Sequence, residues 1–67
     1  MISYIVQVAI DGIMKSECPF DDYGSAFRRF KGLSRGTASK PKDVWLVEYD
    51  DEAQEEFEVA HKEIRPI

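Results

Sequence analysis

Apolar and polar residues alternate near the start of the chain: Tyr4, Val6 and Val8 fall on one side of an extended segment and Gln7 on the other. This is the period-two pattern of a half-buried strand. Asp11-Gly12 then marks a hairpin turn. A two-residue loop there would set Val8 against Lys15 and Val6 against Glu17, which mixes the two faces. A three-residue loop from Ile10 to Gly12, with Gly12 left-handed in a bulged turn, instead aligns Val8 with Met14, Val6 with Ser16 and Tyr4 with Cys18. Pro19 is expected to end this second strand.

The period then changes. Tyr23, Ala26, Phe27 and Phe30 recur at i, i+3, i+4 and i+7, the buried stripe of a helix of about three turns. Asp21 or Asp22 can cap its first turn, Arg28 to Lys31 suit the negative end of its dipole, and Gly32 is the expected left-handed stop. Leu33 to Lys42 reads as an exposed connection, Val44 to Tyr49 ("VWLVEY") as a third strand, and Phe57 to Ile64 ("FEVAHKEI") as a fourth. The acidic turn "DDEAQEE" joins these last two strands.

The predicted fold class is therefore α+β: a single small domain, β-β-α-β-β, whose four-stranded, mainly antiparallel sheet carries one helix packed on one face. The core is expected to hold Tyr4, Val6, Val8, Met14 and Cys18 from the first hairpin, the helix stripe, and Trp45, Val47, Tyr49, Phe57 and Val59 from the second. The opposite face would carry Ile5, Ala9, Ile13, Val44, Leu46, Ala60 and Ile64, diluted by Gln7, Lys15, Glu17, Glu48, Glu58 and Lys62. That face is too apolar to be simply solvated, which predicts a protein contact, with a partner or with a second copy as a homodimer.

Length and composition narrow the picture. Sixty-seven residues support one core and not two. The single cysteine, Cys18, excludes an internal disulfide and a four-ligand zinc site of the usual Cys/His kind, and suits a reducing, cytoplasmic setting. The apolar start "MISYIVQVAI" lacks a charged leader and is far short of the ~20 residues that span a bilayer, so no membrane association is expected.

Charge is divided by segment. Residues 1 to 22 carry four acids and one lysine, residues 23 to 42 six bases and no acid, and residues 43 to 63 nine acids and one lysine. The net charge of −4 disfavours non-specific attraction to nucleic acid.

No motif points to catalysis. Cys18 and His61 are the only thiol and the only imidazole, and both fall on positions expected in the core. The carboxylates of Asp50 to Glu56 lack the glycine and the alternation of a calcium loop, so no metal site is expected. "GLSRGTASK" fails the phosphate-loop pattern and follows a helix instead of opening one. No cofactor is expected.

Two binding readings remain. In the first, the acidic hairpin presents Glu48, Asp50, Asp51, Glu52, Glu55, Glu56 and Glu58 to a basic protein and, together with the second sheet face, occludes it. A non-enzymatic blocker of a host nucleic-acid-handling protein would work this way. Small acidic phage-encoded proteins, anti-CRISPR proteins among them, are similar in size, acidity and lack of catalytic motifs, and that general likeness transfers no residue. In the second, Arg28, Arg29, Lys31, Arg35, Lys40 and Lys42 contact nucleic-acid phosphate directly, although no base-stacking aromatics interleave with them.

Overall fold

The computed structural model describes residues 1–66, which form five elements: β1 (Ile2–Ile10), β2 (Ile13–Phe20), α1 (Tyr23–Leu33), β3 (Lys42–Asp50) and β4 (Glu55–Ile64). The strands make one antiparallel sheet in the order β2-β1-β3-β4. Two hairpins therefore lie side by side, with their first strands paired at the centre. The expected α+β architecture is the one observed, with α1 packed on one face. Among the described residues no helix is long and apolar enough to cross a membrane.

The first hairpin closes differently from expectation. Asp11 and Gly12 both have positive φ, 56° and 79°, and Ile10 pairs directly with Ile13, so the loop is the two-residue turn. Positive φ at both central residues is the type I′ geometry, whose twist matches the flanking strands. The parity conflict is relieved inside β2, where the register shifts between Val8 and Ala9 and leaves Lys15 unpaired. Beyond this bulge Val8 faces Ser16, Val6 faces Cys18 and Tyr4 faces Phe20. Pro19 does not end the strand: it pairs with Ile5 inside β2, an edge strand on which a missing N–H is tolerated.

β4, the other edge, carries a second bulge. Leu46 pairs with Ala60 but Val47 pairs with Glu58, so Val59 is the extra residue. Phe57, Ala60, Lys62 and Ile64 consequently share one face despite their mixed parity. A bulge on each edge twists it away from flat pairing with other chains.

The core lies between α1 and the central strands, where Val6, Val8, Val44 and Leu46 meet Ala26 and Phe30. β3 is thus turned over relative to expectation. Val44 and Leu46 are fully buried under the helix, while Trp45, Val47 and Tyr49 point to the other side with Ile5 and Ala9. Met14 also leaves the predicted core; it pairs with Ala9 on the open face and is exposed. Ala60 and Ile64 move the other way, into rows beneath the helix side, as do Ile13, Glu48 and Lys62. The cause is that "VWLVEY" is apolar at both parities. Compact aliphatic side chains let Ala26 sit against the sheet with no exposed surface, which a Trp45 beneath the helix would prevent.

α1 begins where Asp22 caps it: the carboxylate accepts a hydrogen bond from the Ser25 N–H at 2.8 Å. The helix passes through Gly32, which is not left-handed, and ends at Ser34. Ser34 donates its N–H to the Phe30 and Lys31 carbonyls and its hydroxyl to Phe30 O. Leu33 packs against the core, which extends the helix past the expected stop. Tyr23 and Phe27 lie on the helix flank and stay partly exposed, stacked on each other with Tyr4 edge-on to Tyr23.

Candidate functional site

The face opposite α1 has no covering layer among the described residues. Side chains on this face line up in rows across the strands: Pro19, Ile5, Val47 and Glu58 in one, Glu17, Gln7, Trp45 and His61 in the next, and Met14, Ala9, Asp43 and Glu63 in a third. Tyr49 pairs with Glu56 towards the β3–β4 turn. An apolar centre of Ile5, Ala9, Trp45, Val47 and Tyr49 therefore lies on this face, with Ile5, Trp45 and Tyr49 half-buried. Val47 and Ala9 are only 7% and 5% exposed because larger neighbours shield them. Five carboxylates surround this centre, those of Glu17, Asp43, Glu56, Glu58 and Glu63.

One corner of the face is polar. The Trp45 indole stacks on the His61 ring at 4.9 Å and 11°, and His61 Nε2 lies 3.1 Å from Asp43 Oδ1. Arg65 reaches back from beyond β4 to Glu63, at 3.1 Å, and to Asp43, at 4.0 Å. Asp43, His61 and Glu63 each offer one ligand atom, and these atoms lie within 4.8 Å of one another. In this arrangement the corner is an ion-pair network that neutralises carboxylates beside an aromatic platform.

The acidic residues singled out from sequence do not form one patch. Glu56 and Glu58 are on the open face, whereas Glu48 is on the helix side between Tyr4 and Phe57. Asp50 and Glu55 close the β3–β4 pairing, and Asp51 and Glu52 are at the tip. Asp50 Oδ1 accepts the Glu52 and Ala53 N–H groups, which folds the turn on itself. Asp51 and Glu52 meet the Met1 ammonium at 2.8 and 3.5 Å. The hydrogen bond from that ammonium holds the Asp51 carboxyl below the ordinary carboxylate range, and the same contact raises the ammonium. The tip is thus partly neutralised, and the carboxylates beside the apolar centre are Glu56 and Glu58 together with Glu17, Asp43 and Glu63. Sequence reasoning missed Asp43 and Glu63 because only the β3–β4 register brings them beside Trp45 and His61.

The basic residues gather around the C-terminal end of α1 and the start of β3. Arg28 and Arg29 flank an open cleft of about 520 Å³ floored by Phe20 and Leu33. Lys31 lies 5.6 Å over the Phe27 ring. Lys40 and Lys42 border a shallow depression beside Ile10, and Arg35 follows the helix cap. Among the described residues Arg28 and Arg29 make no ion pair, and the aromatic rings near these bases stack on one another, with Tyr23 and Phe27 partly exposed.

Cys18 and His61 do not meet. Cys18 shares a row with Val6 and Leu46 on the helix side of β2, and His61 is on the open face of β4, not in the core. They occupy opposite faces of the two outer strands, about 14 Å apart at three strand spacings. No family model matches this chain, and no curated protein or solved structure matches it.

Proposed function

We propose that the protein is a non-enzymatic binding module that docks its open sheet face on a basic protein surface and occludes it. The observation that carries this reading is the bare face itself: an outward apolar centre containing Trp45 and Tyr49, bordered by five carboxylates. Interface cores favour such aromatics, and a rim of one sign selects a partner of the other and speeds encounter. Charge also distinguishes among occupants. Two copies placed face to face would oppose Glu17, Glu56 and Glu58 of one with the same carboxylates of the other, since Arg65 pairs with Asp43 and Glu63, so a basic heterologous partner fits better than a homodimer through this face. Proteins that handle nucleic acid present basic surfaces of this kind, and covering one would block its substrate.

The test is a tagged pull-down from bacterial lysate at low salt, with and without nuclease, run in parallel with a Trp45→Ala/Tyr49→Ala variant whose fold is checked by circular dichroism. A single nuclease-resistant basic partner, retained by the wild type and lost with the variant, is the expected result. Retention of nucleic acid, lost when Arg28, Arg29 and Lys40 are reversed in charge, would contradict it and make the basic end the working surface.

A further inference from the structure

We propose that Asp43, His61 and Glu63 form a binding site for a divalent transition-metal ion of the zinc type, occupied in its resting form by the guanidinium of Arg65. The donor set is mixed, one imidazole and two carboxylates, which suits zinc, copper and nickel better than the hard cations that take oxygen alone. Paired backbones fix its spacing: Asp43 is directly opposite Glu63, and His61 is two residues along β4, opposite Trp45. No flexible loop has to be ordered to assemble it.

Two further observations set this corner apart from an ordinary acidic surface. The side chains of Asp43 and His61 are 17% and 28% exposed, that of Glu63 is 53% exposed, and the Trp45 ring stacks on the imidazole. A cation is also already drawn in, since Arg65 approaches both carboxylates from a position outside the strand. Two ligands each about 2.1 Å from a tetrahedral ion stand about 3.4 Å apart. Donors now within 4.8 Å of one another therefore close on an ion through side-chain rotations that draw a pair together by up to about 1.4 Å, once Arg65 withdraws. His61 Nε2, now against Asp43 Oδ1, would turn its lone pair to the metal, and water would complete the coordination shell.

Trp45 is the only tryptophan and lies against the proposed ligand, so the protein carries its own reporter. The experiment titrates the purified chain with Cu²⁺, following Trp45 fluorescence, and with Zn²⁺, following the His61 ring protons by NMR. Saturable one-to-one quenching is expected, together with a matching shift of the His61 signals. His61→Ala or Asp43→Asn should weaken binding by more than about tenfold. Arg65→Ala should tighten it several-fold, because the competing cation is gone. Quenching that does not saturate, that is unchanged in His61→Ala, or that weakens in Arg65→Ala would overturn the proposal. The protein is tested alone, so the outcome is independent of whether the open face binds a partner.

Discussion

Leu46 and Trp45 are neighbours in sequence and opposites in environment. Leu46 has no exposed surface and packs with Val6, Ala26 and Phe30, whereas Trp45 lies on the open face against His61. Leu46→Ala should destabilise the fold by roughly 2–5 kcal/mol, the usual cost of a large-to-small change in a filled core. Trp45→Ala should cost well under that, since it removes a surface stack and leaves no cavity. Urea unfolding of both variants checks this, and a larger loss for Trp45→Ala would mean that β3 is turned the other way. Similar reasoning applies at Asp11-Gly12, where positive φ at both residues suits the tight turn that parity alone argued against.

α1 depends on one capping side chain. Asp22 accepts the Ser25 N–H, and that backbone bond holds its carboxyl below the ordinary carboxylate range. A depressed folded-state pKa contributes stability that is present above the unfolded value, near 3.9, and is lost as pH falls through the folded value. Acid titration of stability should therefore show a fall beginning below about pH 4. Asp22→Asn keeps a cap acceptor and should reduce that fall, leaving the share that Asp51 contributes, while Asp22→Ala should reduce it and lower stability at neutral pH as well. An unchanged acid limb in Asp22→Asn would show that the cap is not the titrating contact.

The elements were legible in the sequence because their periods are clear. Alternation at Tyr4, Val6 and Val8, the helical recurrence from Tyr23 to Phe30, and Asp22 before it place β1 and α1 within a few residues. What could not be read was the facing of β3 and the register of the edges. "VWLVEY" offers no polar alternation to choose a face, and the bulges at Lys15 and Val59 each shift parity by one residue without a glycine to mark them. Gly32 misled in the opposite sense, since Leu33 packing on the core outweighed a stop signal. The open face was anticipated as a feature, but with the wrong β3 residues on it and with Ile13, Ala60, Lys62 and Ile64 misplaced as well. Asp43, His61 and Glu63 come together only through the β3–β4 register.

For the whole molecule, charge runs along the longest dimension, 41 Å. The row formed by Phe20, Tyr4, Glu48 and Phe57 divides it: all nine bases lie on the side of the β1–β2 turn, and eight of the thirteen acids lie in or beyond the row on the other. The basic run from Arg28 to Lys42 is therefore one pole of the protein, set opposite the acidic β3–β4 tip. Such a charge axis orients an approaching charged partner before contact, at a rate that falls with added salt.

Trp45 reports directly on docking through the open face. The deciding measurement is the indole N–H signal of Trp45 in ¹⁵N-labelled protein as the captured partner is added. Docking through the open face should shift or broaden this signal, together with the backbone signals of Ile5, Val47 and Tyr49, while those of Ala26 and Phe30 stay in place. Binding that leaves Trp45 unmoved and perturbs α1 instead would contradict it.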